Sequence, residues 1–464
     1  MIKHIRKSSI AFALVSSLAL FSGCGIDNDG ENIVEDGSLQ FEDAVVIEDI
    51  NASSMLPFAQ AVAASKGETR DFAFGFKSVK IIYNTTNQNG ENVIASGLLI
   101  IPSATNEYQA QRIAAGEGPY SVAMINENHE TIFTNAEAPS GSIIIQDSPD
   151  MTDKEKLYAT MVSYAGFAAI IPDYIGYGES NDISHPYMLK EASANTSLDM
   201  IKASIYYMEQ NGVAINYQLY ISGYSQGGYN AMTVAQKIEN EFTTVDLKAV
   251  AAMAGPHDLE DLADTVINAS HIMAYPAFLG YLANSYGYYH EDVNVTDLVL
   301  YPDPVAYNNL FDGSNDNVTI HVNLGLTDFN GTGFPGPDYG FFTHTSNELF
   351  QESFINDYQN NVNSVIKQKF IENKSYSNWT PKTKVKLIHC VDDEIIPFSM
   401  SQDAFNELNA TGADVTISPI PTAVVDLYTP VSADNPFIHG RCASAAYGTA
   451  LVWFDSIRSP KEEQ

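Results

Sequence analysis

The chain has 464 residues, with 57 acidic against 23 basic side chains and a formal net charge of −34. Such a charge repels nucleic acid and anionic surfaces, which removes polyanion binding from the functions to consider. The length leaves room for one large core with an insertion, or for two domains.

Lys3, His4, Arg6 and Lys7 precede an uncharged, mostly apolar run from Ile10 to Phe21. That run is too short to span a bilayer and suits the core of a signal peptide, so residues 1–23 are expected to be removed. The run ends Leu20-Phe21-Ser22-Gly23-Cys24, which resembles the lipobox of bacterial lipoproteins, with Phe21 where leucine is usual. The resemblance implies export, lipidation of Cys24 and a membrane anchor at the N-terminus; a plain secretory signal is the alternative. The acidic stretch that follows has few apolar groups, and residues 24–70 are expected to act as a tether.

Phe76 to Asn84 and Val93 to Ile101 read as a hairpin around Asn89-Gly90, followed by a buried strand near Tyr120 to Ile125. Strands and helices then alternate: a helix near Asp153 to Tyr164, a strand at Phe167 to Ile171, and a helix carrying Leu198, Ile201, Ile205 and Met208 on one face. Strands at Tyr217 to Ser222 and Leu247 to Ala254 continue the rhythm. It resumes after residue 382 with Val385 to Cys390, a helix, Ala413 to Ser418 and a last helix to about Ile457. The alternation predicts a mostly parallel sheet of eight strands with helices on both faces, its core formed by residues 71–264 and 383–464. Residues 265–382 break the rhythm and are rich in Tyr, Phe and Asn, so they are expected to form a cap inserted after the sixth strand. Within them Tyr281, Tyr286, Tyr288 and Tyr289 read as packing first and as a substrate-stacking surface second.

Gly223-Tyr224-Ser225-Gln226-Gly227 lies between a strand-like and a helix-like run. A serine on a sharp strand-to-helix turn needs small neighbours, and this context marks Ser225 as a nucleophile. Leu387 to Pro397 resembles the acid-bearing loop of the α/β-hydrolases, a strand ending H-G-x-x-D followed by x-x-V-P; the alignment selects Asp393, with Asp392 and Glu394 as adjacent alternatives and Cys390 in place of glycine. That family orders its triad Ser, acid, His, and His439 is the one histidine beyond the loop. The oxyanion donors implied are the backbone of Gln226 and, from Asn128-His129-Glu130-Thr131, that of Thr131, with Glu130 competing where glycine is usual. His129, His185, His257 and His389 are expected to be satisfied structural histidines, no catalytic metal is expected, and no cofactor is required.

Pro172-Asp173-Tyr174-Ile175-Gly176-Tyr177-Gly178-Glu179-Ser180, His185-Pro186-Tyr187 and the serine motif together resemble secreted bacterial α/β-hydrolases related to secretory lipases, from roughly Phe74 to Ile457. The resemblance implies a serine carboxylic-ester hydrolase acting on small or polymer-linked esters. A peptidase of the prolyl-oligopeptidase kind and a non-catalytic binding lipoprotein are the alternatives. Asp173 is expected to organise its loop. With Cys24 lipidated, Cys390 and Cys442 are left, and an oxidising compartment would join them in a disulfide.

Overall fold

A computed structural model describes residues 37–142, 151–267, 275–326, 345–432, 435 and 437–458. The expected signal peptide, the lipidation site Cys24 and the tether up to residue 36 lie outside the described residues.

Nine strands form one sheet: β1 (Phe41–Ile50), β2 (Gly75–Thr86), β3 (Asn92–Ser103), β4 (Val122–Asn128), β5 (Phe167–Pro172), β6 (Ile215–Tyr224), β7 (Asp246–Met253), β8 (Lys384–Cys390) and β9 (Val415–Ile420). Their order is β1-β2-β3-β5-β4-β6-β7-β8-β9. The pairs among β1, β2, β3 and β5 are antiparallel, and every pair from β5 to β9 is parallel. Successive strand residues face opposite sides, so Leu99 and Ile101 join one core layer while Leu98 and Ile100 join the other. Because both faces are covered, β5 is buried along its whole length and reads Phe-Ala-Ala-Ile-Ile-Pro rather than alternating.

The eight-strand expectation misses β1, and the tether assigned to 24–70 is ordered protein from residue 37. β1 carries Glu42, Asp43, Glu48 and Asp49, and its pairing with β2 shifts register between Phe41 and Asp43 and again between Val46 and Glu48. Those irregularities break the two-residue alternation by which a strand is recognised in sequence. Phe41 and Ala44 still pack on one core layer, and Ile47 and Ile50 on the other. Helix α1 (Ala52–Ser65) follows, its Asn51 cap accepting the Ser54 N–H at 3.0 Å and its Met55, Ala59 and Ala63 buried one turn apart.

Helix α2 (Asn106–Ala114) leads to β4, and α3 (Asp153–Ala159) continues as a π turn to Tyr164 before β5. Helices α4 (Lys190–Gln210) and α5 (Gln226–Glu241) cover one face of the sheet. The final helix, Ile438–Ile457, lies on the other with the π turn. The helical insertion after β7 begins earlier than residue 265, with α6 (Leu259–Val266), and continues through α7 (Pro276–Tyr289) to a helix ending at Glu372. It has a core of its own, in which Tyr281, Tyr286 and Tyr289 are buried while Tyr288 is exposed. The packing role expected of these tyrosines holds for three of the four.

Candidate active site

The turn from β6 into α5 puts Ser225 at φ +57° and ψ −118°, a strained conformation for any residue with a side chain. Glycines make the turn possible by close approach. A Cβ on Gly223 would stand 2.1 Å from the Gly227 carbonyl oxygen, and one on Gly227 would stand 1.8 Å from that of Asn128. The Ser225 N–H donates to the Met253 carbonyl on β7 at 2.9 Å, which fixes the turn against the neighbouring strand.

The structure brings Ser225, His439 and Asp393 into one hydrogen-bonded line. His439 Nε2 lies 2.9 Å from Ser225 Oγ, and its Nδ1 lies 2.6 Å from Asp393 Oδ2. The second carboxylate oxygen of Asp393 accepts the N–H groups of Ile395 and Ile396 at 3.0 and 2.9 Å. Burial would raise the Asp393 pKa, but the facing His439 and His389 outweigh it and hold the carboxyl below its usual range. For His439, burial works against the charged form, whereas Asp393, Glu130 and Glu394 favour it; the net shift is upward. The two alternatives to Asp393 do not bond the imidazole: Asp392 accepts the Thr422 hydroxyl, and Glu394 accepts backbone N–H groups of Ile438 and His439.

His389, three residues before Asp392, bonds Ser401 Oγ at 2.8 Å and the Ile396 carbonyl at 2.9 Å. His185 Nδ1 donates to the Ile175 carbonyl at 2.7 Å, so its Nε2 accepts from the Gln226 side chain, also at 2.7 Å. These two are satisfied as expected. His129 and His257 bond through Nδ1 to the Glu130 carbonyl at 2.7 Å and to Ser375 Oγ at 3.2 Å, and burial lowers both to a pKa of about 3 and keeps them neutral. Asp173 accepts from Ser96 Oγ at 2.6 Å and from the Ser140 N–H at 2.7 Å, which fits a loop organiser.

Thr131 bonds the Tyr187 hydroxyl at 3.0 Å, and Tyr187 lines the pocket that contains Ser225. Glu130 is exposed and lines a separate cavity of about 260 Å³ with Glu127, Lys154 and Tyr447. The Ser225 pocket is walled by Leu259, Leu262, Val266, Leu279 and Leu282, and these five also wall an adjoining apolar cavity that reaches Phe350 and Phe370 inside the cap. This apolar lining has no signature in sequence, because its residues come from α6, α7, three later cap helices and Phe350, with no local motif.

Cys390 and Cys442 form a disulfide with a Cα–Cα separation of 6.2 Å. It joins the end of β8 to the final helix, three residues from Asp393 on one side and from His439 on the other.

Beneath the site, Glu127 is buried and accepts from the Ser222 and Tyr447 hydroxyls. Burial, opposed by those hydrogen bonds and aided by Glu130, pushes its pKa from 4.5 up to about 8. The folded state therefore holds this proton more tightly than the unfolded chain, and the site costs stability progressively as pH rises from about 4.5 to about 8. Glu127→Gln is expected to remove that cost. Its melting temperature should exceed the parent's at pH 8–9 by several degrees, with the difference closing near pH 4, as followed by calorimetry across pH. A parent and variant that melt together at pH 9 would show that the buried carboxyl carries no such penalty.

The strand order, the serine turn and the cap define an α/β-hydrolase. Residues 150–296 match the family model described as secretory lipase. Over that stretch the chain is similar to secretory lipases, and its fold is that of the α/β-hydrolases. No curated protein sequence matches it. Among solved structures it is similar to a putative hydrolase from Legionella pneumophila, with 18% identity, TM-score 0.70, and coverage of 92% of this chain and 100% of that one. It is similar also to the rice cell wall degrading esterase LipA from Xanthomonas oryzae, with 19% identity, TM-score 0.69, and 90% and 97% coverage. Candida antarctica lipase A aligns at 14% identity and TM-score 0.53, over 84% of this chain and 79% of that one. At these identities the likeness speaks for the fold.

Proposed function

We propose that the protein is a serine carboxylic-ester hydrolase that acts outside the cytoplasm on esters of apolar acyl groups. The observation that carries this reading is the Ser225–His439–Asp393 line opening into an apolar pocket that shares a wall with a second apolar cavity inside the cap. In the reaction Ser225 Oγ attacks the ester carbonyl carbon and His439 Nε2 takes its proton, while Asp393 fixes the ring and stabilises the imidazolium. The tetrahedral intermediate collapses by breaking the bond to the alcohol, which leaves with the proton from His439. Water then attacks the acyl-serine by the same route and releases the acid. The backbone N–H groups of Gln226 and Thr131 are the proposed donors to the oxyanion. Export follows from the segment 1–23 and from a disulfide, which persists in an oxidising compartment. Cys24 is the proposed lipid anchor.

The test is hydrolysis of chromogenic acyl esters of increasing chain length. Each methylene buried in the apolar pocket contributes up to about 0.8 kcal/mol, so kcat/KM should climb by up to about fourfold per carbon until the pocket is filled. Equal turnover of acetyl and decanoyl esters would sink the apolar-acyl part of the reading, and absence of turnover would sink the whole.

A further inference from the structure

We propose that Glu394 and Tyr224 are positioning residues that clamp the main chain of His439 from its two sides and hold the imidazole in line between Ser225 and Asp393. This rests on the serine-hydrolase reading above.

The Glu394 carboxylate accepts the Ile438 N–H at 2.7 Å and the His439 N–H at 3.2 Å. Both belong to the first turn of the final helix, where N–H groups have no partner within the helix. No side chain of the preceding Phe437 caps that turn, so Glu394 supplies the acceptor from a loop 44 positions away. On the other side of the His439 Cα, the Tyr224 hydroxyl donates to the His439 carbonyl oxygen at 2.6 Å, and its ring lies 5.2 Å from the imidazole. Tyr224 is fully buried at the end of β6, so its hydroxyl arrives on a rigid support.

Chain position gives the arrangement its meaning. Glu394 directly follows Asp393, and Tyr224 directly precedes Ser225. Each residue that touches the imidazole therefore has a neighbour that touches the backbone carrying it, and a displacement of either loop would move the ring and its partner together. Distances between reacting groups are preserved by such coupling, and an error of about 1 Å can cost about a hundredfold in rate.

The two clamps differ in charge, which separates them experimentally. The groups facing the imidazole are Asp393 and Glu394 from the loop after β8, Glu130 after β4, the Ser225 hydroxyl and the Tyr224 ring; Tyr275 faces Glu394 from the start of α7. Glu394 favours the imidazolium, whereas a neutral tyrosine leaves that balance unchanged.

The experiment measures kcat and KM for a chromogenic ester from pH 5 to 9, together with the rate at which a fluorophosphonate labels Ser225, in the full chain and in Glu394→Gln, Glu394→Ala and Tyr224→Phe. Glu394→Gln keeps an oxygen acceptor and loses the charge; its acidic limb should move to lower pH with a plateau kcat within a few-fold of the parent. Glu394→Ala should show the same movement and a kcat lowered by about tenfold or more at unchanged KM. Tyr224→Phe should leave the limb in place and lower kcat. Glu394 is exposed, so its variants are expected to melt close to the parent and remain testable should Tyr224→Phe unfold. An active parent with both Glu394 variants unaltered in limb and plateau overturns the clamp alone. A folded parent that neither hydrolyses esters nor takes the label overturns the hydrolase reading and the clamp with it.

Discussion

Ser225→Ala is expected to lower turnover of the best acyl ester by about 10⁴–10⁶-fold while leaving the fold intact. The loss follows from geometry: Ser225 Oγ, 2.9 Å from His439 Nε2, is the one hydroxyl in line with the imidazole and Asp393. The fold should survive because the serine side chain makes no capping bond to α5 and because the turn is held by backbone contacts, among them the Ser225 N–H to Met253. Members of such a unit act together, so His439→Ala and the double variant Ser225→Ala/His439→Ala should lose about as much as Ser225→Ala, rather than the product of the two losses. Initial rates on purified variants whose melting temperatures match the parent's provide the check. Turnover in Ser225→Ala above about one hundredth of the parent's would remove the serine from the mechanism. The parent should also show an acidic limb above the usual histidine range, because Asp393, Glu130 and Glu394 together outweigh burial in favouring the charged ring. Protonated His439 cannot accept the serine proton, so activity rises with pH through that limb.

The alignment of Ser225, His439 and Asp393 was legible because each residue is tied to a local pattern or to chain order. Ser225 stands on a glycine-bounded turn, Asp393 on a strand end, and His439 alone follows both. The clamp was not legible, since the hydrogen bond from Tyr224 to His439 joins residues 215 positions apart and ends on a backbone atom that no motif encodes. Glu394 could be recognised as a neighbour of Asp393 but not as the acceptor for a helix that starts 44 positions later. The strand β1 stayed hidden for a different reason: two register shifts and four acidic residues erase its alternation, although eight of its ten residues pair with β2. In the cap, composition revealed aromatic packing, but the apolar pocket at Ser225 depends on how α6 and α7 face each other, which is a tertiary fact. Glu130, which in sequence competes for the oxyanion position, is exposed and lines a separate cavity, while its charge still acts on His439.

Replacing both cysteines of the Cys390–Cys442 pair by alanine is expected to cost about 4 kcal/mol of stability, the loop-closure entropy of a cross-link spanning 52 positions. That is a large share of the total stability of a typical domain, and it should lower the melting temperature by several degrees or more. The loss should not stop at stability. The bond fastens β8 to the final helix just outside Asp393 and His439, and Glu394 fastens the same two segments from the other side. Without the cross-link the first turn of the final helix is held by non-covalent contacts alone, so inactivation on warming should begin below the global transition. Both sulfurs belong to fully buried residues, so a thiol reductant should leave the native enzyme active at low temperature and accelerate its inactivation only when heat opens this corner. Activity half-life and calorimetric transition, measured with and without reductant, decide the matter. Parallel loss of activity and structure in the variant would mean that the disulfide stabilises the chain as a whole and has no particular hold on the site.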